Sequence, residues 1–122
     1  SRSTLGTGLS AATTGLAGMA NSGTAGYIGG GSTGSYVDTV DKFDFSDDSR
    51  STLGTGLSSS SGYLAAMADS GTAGYFGGGT DGSSYLDTVD KFAFSDDSRS
   101  TLGTGLSAGT FYLAGMANSD GL

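Results

Sequence analysis

The sequence predicts an all-β fold built from repeated antiparallel four-stranded units, and three observations predict it. The stretch Ser1–Asp48 recurs as Ser49–Asp97, and a partial third copy runs from Ser98 to Leu122. Within each copy, short segments of alternating character are separated by clusters of Gly, Ser, Asn and Asp. The chain holds 24 Gly, 21 Ser and 15 Thr, so 60 of its 122 residues are small and flexible or hydroxylated, and it has no Pro. A repeat of roughly 20–50 residues signals units that cannot bury an apolar face alone and must stack on neighbours.

Four segments make up each unit. The first is short, aromatic and glycine-rich: Ala25-Gly26-Tyr27-Ile28-Gly29-Gly30, repeated as Ala73-Gly74-Tyr75-Phe76-Gly77-Gly78. The second alternates: Leu86, Thr88, Phe92 and Phe94 share one parity, as do Val37, Thr39, Phe43 and Phe45, so each pair of rings falls on one sheet face. The third is Ser51-Thr52-Leu53-Gly54-Thr55-Gly56-Leu57, with Leu53, Thr55 and Leu57 on one side. The fourth, Tyr63-Leu64-Ala65-Ala66-Met67-Ala68, contains good helix formers. It is read as a strand because it is too short for a stable helix and its counterparts carry Gly18 and Gly115.

Four strands in about 48 residues match one blade of a propeller. The glycine-rich segment is expected innermost, where converging blades leave little room, and the Phe pairs between adjacent blades. The large side chains, chiefly these rings with Leu53, Leu57 and Met67, are expected to be well packed. Counting segments gives ten strands, or two and a half blades. Residues 1–24 form a half blade, 25–73 one full blade and 74–122 another, together one propeller fragment. The same copy of segments stands at both ends, so two chains cannot simply exchange halves and close a ring. The chain is expected to be a segment of a longer array or to assemble with other chains, and the lack of an initiator Met agrees.

Gly26-Tyr27-Ile28-Gly29-Gly30 followed by Tyr36-Val37-Asp38-Thr39-Val40-Asp41-Lys42-Phe43 resembles a Kelch repeat, as does Gly74–Gly78 followed by Tyr85–Phe92. The double glycine is present, and Phe43 and Phe92 stand where the family has Tyr. The family's Trp is missing: Ser51 or Thr52 falls near its place. The Arg-containing start of the family's last strand is absent too. The resemblance implies a Kelch-like β-propeller segment and covers nearly the whole chain. Similar repeats occur in bacterial, cyanobacterial and phage proteins. Propellers host many activities, so the resemblance implies no particular one.

Composition excludes much chemistry. With no His and no Cys, the chain supplies no Ser-His-Asp triad, no Cys-His pair, no zinc site and no disulfide. Twelve Asp against five Lys and Arg give a net charge of −7, which repels nucleic acid. No apolar run reaches the ~20 residues that cross a bilayer as a helix. No cofactor is implied and no catalytic residue is nominated. Gly29–Gly34 and Gly77–Gly82 match G-x-G-x-x-G, but a strand follows where a phosphate site needs a helix, so both are read as hairpin turns. Asp47, Asp48, Asp96 and Asp97 are metal candidates by clustering, yet fit turn chemistry better. Lys42 and Lys91 are read as cross-strand ion pairs or edge protection. Asp38 and Asp41 fall on opposite strand faces, which argues against glycosidase chemistry.

The copies differ mainly at one end of each blade. Ser10–Thr14 becomes Ser58–Gly62 and then Ser107–Phe111, and Ser32–Ser35 becomes Thr80–Ser84, where Ser84 is one extra residue. The opposite end keeps Ser-Asp-Asp-Ser-Arg nearly constant. A ligand-facing rim would comprise Thr13, Thr14, Ser32, Thr33, Tyr36, Ser60, Ser61, Thr80, Asp81, Ser84, Tyr85, Thr110 and Phe111, since binding residues favour loops on a rigid scaffold. The competing explanation is drift in exposed loops after duplication. The expectation is a non-catalytic structural or interaction module, such as a fibre or adhesin component on an extracellular or virion surface. The alternative is a glycan-binding lectin using that rim. The expected partners are further blades or other copies of the chain, and under the lectin alternative glycans.

Overall fold

The computed structural model describes residues 3–69 and 71–110. Phe111 and the strand expected to end at Met116 lie outside the described residues. The fold is all-β, with no helix among the described residues. Two antiparallel four-stranded sheets follow one another along the chain. The first comprises β1 (Ala17–Asn21), β2 (Ala25–Gly29), β3 (Val40–Asp44) and β4 (Ser49–Thr52). The second comprises β5 (Ala65–Asp69), β6 (Ala73–Gly77), β7 (Val89–Ala93) and β8 (Ser98–Thr101). Each sheet is a meander in which sequential strands pair.

Turn chemistry explains the tight corners. Between β1 and β2, Thr24 N–H donates to Asn21 O at 2.9 Å, with Gly23 at φ +74. Between β3 and β4, the Asp44 carboxylate accepts from the Ser46 amide and hydroxyl, and the Asp47 carboxylate from the Ser49 amide.

The Met-ending segment is a strand, as expected, but it opens each sheet rather than closing one. The Asn21-Ser22-Gly23-Thr24 hairpin ties it to the glycine-rich segment that follows. The fourth strand differs as well. It is Ser49–Thr52, and Leu53–Leu57 is a linker. With Gly54 and Gly56 offering no side chains to pack, the segment follows other bonds. Leu57 N–H donates to Asp38 O at 2.8 Å, and Leu57 itself is buried in the core. The alternating segment forms a ladder only over Val40–Asp44 and Val89–Ala93. Ahead of it, Gly30 and Gly31 take φ of +72 and +102, and a methyl on either would lie 2.7 Å from a backbone oxygen, of Ser61 and Thr14 respectively. The double glycine therefore marks a close approach between consecutive loops.

The sheets stack face to face, closest where β1 meets β5 and β6. The first sheet contributes the face carrying Met19, Tyr27 and Val40; the second contributes the face carrying Phe76, Phe92 and Phe94. Tyr27 stacks on Phe94 with ring centroids 5.3 Å apart, and Phe76 meets Phe92 edge-on at 5.8 Å. Met19 lies directly over Gly74, where a Cβ would collide with its Sδ.

Not every ring is core. Phe92 and Phe94 are buried, but Phe43 is half-buried and Phe45 is 47% exposed. Phe43 and Phe45 occupy the face of the first sheet that no described sheet covers. Met67 is 40% exposed on the uncovered face of the second sheet, although its counterpart Met19 packs between the sheets. Position in the stack, rather than residue type, decides their burial.

Phe92→Ala is expected to cost about 3–5 kcal/mol in chemical denaturation, and Phe45→Ala about 1 kcal/mol or less, because the latter ring loses little buried area. Gly74→Val should cost about 1–3 kcal/mol by pushing Met19 and Phe94 aside; an unchanged midpoint would mean the sheets do not meet there.

Candidate assembly interface

Two sets of polar contacts organise the fold, one fastening each linker to its own sheet and the other joining the sheets. The first set clamps the linker. Asp41 is buried on β3, where one carboxylate oxygen accepts from the Ser10 amide at 2.9 Å and hydroxyl at 2.8 Å. The other oxygen accepts from the Thr52 hydroxyl at 2.7 Å. The second sheet repeats the device: Asp90 accepts from the amide and hydroxyl of Ser58 at 2.8 and 2.9 Å and from Thr101 at 2.8 Å. Arg50 and Arg99 donate to Gly8 O and Gly56 O, fastening the same linkers. Burial works against the charge on Asp41. The Ser10 and Thr52 bonds, with Arg50 nearby, outweigh it and hold the carboxyl below its ordinary range.

The second set joins sheet to sheet. Asp97 sits in the β7–β8 turn at φ +59. Its carboxylate accepts from the Tyr27 hydroxyl at 2.7 Å and from Lys42 Nζ at 2.8 Å, both from the first sheet. Lys42 Nζ also lies 5.6 Å from the centre of the Tyr27 ring. Burial, with the Asp97 bond and charge, pushes the Tyr27 hydroxyl up to about 12. The bond to Asp97 raises Lys42 above its ordinary value. Lys42 stands on an interior strand and its ion pair reaches the neighbouring sheet, so the expected cross-strand ion pair and edge guard give way to a tie between sheets, while across the strand it faces the Tyr27 ring. The Asn21 side-chain oxygen accepts from the Gly71 amide at 3.2 Å, a further tie between sheets.

The described rim residues gather at one end of the sheets, because the β2–β3 loop and the linker into the next sheet leave from that end. Thr14 bridges to Ser32 and Ser32 to Tyr36; in the second unit Gly62 bridges to Thr80 and Thr80 to Tyr85. The Tyr36 ring lies against Gly62 and Gly82 of the following unit. Many of these groups are engaged in the fold. Ser61 and Thr80 are buried, and Gly31 N–H donates to Ser61 O. The Thr80 hydroxyl donates to Ser84 O, and the Asp81 carboxylate accepts from the Ser83 and Ser84 amides. Thr13 and Thr110 hydroxyls point at Ala11 O and Ala108 O at 3.5 Å. Thr33, Ser60 and Tyr85 are exposed, Tyr85 by 60%. A cavity of about 60 Å³ lies beside Leu9, Thr13, Ile28 and Thr39, room for a few waters and not a sugar ring. Its counterpart shrinks to about 10 Å³ because Phe76 replaces Ile28.

Of the clustered acids, Asp47 and Asp96 accept from backbone amides two residues on, and Asp97 is taken by Tyr27 and Lys42. No group of three potential metal ligands occurs among the described residues. The triple glycines at 29–31 and 77–79 lead into irregular loops rather than helices.

Because the Asp41 carboxyl is held below 3.8, its contribution to stability is complete above that value and is lost as pH falls through the lower folded one. Asp41→Asn should cost about 1–3 kcal/mol at pH 7 and progressively less below about pH 4. Denaturation curves that keep the full difference at pH 2 would show that the charge is not what matters. No protein-family model matches the chain, and no curated protein matches it.

Proposed function

We propose that the protein is a non-catalytic structural and interaction module of a Kelch-like β-propeller, serving as a fibre or adhesin component on an extracellular or virion surface. One observation carries this reading. Successive sheets lie on one another by unlike faces, closest along the β1 and β5 edge, with Tyr27 stacked on Phe94 further from that edge. Contact concentrated along one edge supports a reading in which the sheets converge on a hub as propeller blades do. The carboxylates support a structural role, since Asp41, Asp90 and Asp97 are all consumed by the fold.

The exposed Tyr85, beside the acidic Asp81 turn, favours a second reading in which the rim takes a glycan by ring stacking and hydroxyl contacts. Class averages from electron microscopy should display a ring of 4–8 leaves; straight rods of stacked sheets would refute the propeller. Glycan-array binding that free sugar competes away, and that Tyr85→Ala removes, would move the assignment to the lectin.

A further inference from the structure

Among the described residues no sheet covers two unlike faces of the pair, and each is the counterpart of a face already buried between the sheets. The first sheet exposes the face bearing Gly26, Phe43 and Phe45, the same face that the second sheet buries with Gly74, Phe92 and Phe94. The corresponding face of the second sheet bears an exposed Met67 with half-buried Tyr75 and Lys91, in the places of Met19, Tyr27 and Lys42.

Both open faces already hold the conformation that the buried interface uses. Phe45 lies 3.2 Å from the point where a Gly26 Cβ would stand, as Phe94 lies 3.1 Å from that of Gly74. Asp48 holds φ +60 in its turn, against +59 for Asp97. Lys91 Nζ is 5.9 Å from the Tyr75 ring centre, against 5.6 Å for Lys42 over Tyr27. An open apolar groove of about 370 Å³ runs past Leu5, Ala20, Gly26 and Phe45, at the place where the buried interface receives a Met. Charge is complementary, with Asp48 beside one face and Lys91 on the other.

We propose that the chain docks head-to-tail on a second copy of itself, the open face of β5–β8 closing over the open face of β1–β4. The proposal rests on the stacked-sheet module argued above and names its partner. Tyr75 stacks on Phe45 of the second copy, Met67 fills the groove over its Gly26, and Lys91 pairs with its Asp48. Like faces do not fit: two first-sheet faces would bring Asp48 against Asp48 with no Met for either groove. The contact is therefore heterologous and has a direction.

Sedimentation velocity from about 1 μM to 1 mM tests it. The wild-type chain should shift from monomer to larger species as concentration rises. Lys91→Asp alone and Asp48→Lys alone should each weaken association at least about tenfold, since like charges then meet. Mixed together, K91D and D48K chains should regain association by native mass spectrometry, as species in which the two variants alternate, because each variant's faces meet opposite charge only on the other variant. Gly26→Val should block docking sterically, without charge change, while leaving the circular dichroism spectrum intact. A monomer at every concentration, single variants that associate like wild type, or a mixture that stays monomeric would each overturn the proposal. If the chain is monomeric while Gly74→Val still destabilises it, self-docking fails and the stacked module stands; if Gly74→Val is silent, the module itself fails.

Discussion

The fold depends on one constraint: neither sheet can bury its own aromatic rings. A sheet of four strands, each four or five residues long and rich in Gly and Ala, has too little side-chain volume to cover Phe92, Phe94 or Tyr27 by itself. The neighbouring sheet supplies what is missing, in a specific pattern. Large groups meet glycines, with Met19 over Gly74 and Phe76 against Gly29. The small residues that weaken each strand are the cavities into which the next sheet's side chains fit, so packing density is reached between units rather than within one.

Polar groups follow the same logic. Each unit brings an aspartate to a linker that has no ladder of its own. Ser10 and Thr52, like Ser58 and Thr101, turn that carboxylate into a fastening point. A buried carboxylate without those donors would be costly, and a linker with two glycines and no such anchor would have little reason to hold one path. The two halves of the problem solve each other. The repeats are not equal, however. Ile28 leaves a void that Phe76 fills, so the first unit is the more loosely packed.

Much of the architecture was legible in the sequence. The repeat, the strand character of the Met-ending segment and the core placement of Phe92 follow from spacing and alternation. The grouping of strands was less so. Asn21-Ser22-Gly23-Thr24 reads as well for a boundary between units as for a hairpin within one, and only the ladder decides. Leu53–Leu57 alternates like a strand, but its bonding partner is Asp38, a residue that local pattern does not reveal. The Asp41 clamp did leave a trace, for Asp41 shares the parity of Phe43 and Phe45, and an acid on an apolar face in both copies asks for a partner. The role of Asp97 left none, because a Ser-Asp-Asp-Ser turn is sufficient explanation for its own residues. Which rings are covered is a matter of place in the stack, and no single unit encodes it.

The left-handed aspartates carry one more implication. Glycine or asparagine occupies positive φ at less cost than aspartate, yet Asp48 and Asp97 both stand there. At Asp97 the charged tip recovers that conformational cost by meeting a phenol and an ammonium from the adjoining leaf. A leaf folded in isolation would keep the backbone tension without the reward. Local strain and neighbour contact are thereby coupled, so the two sheets should order together by zippering rather than independently.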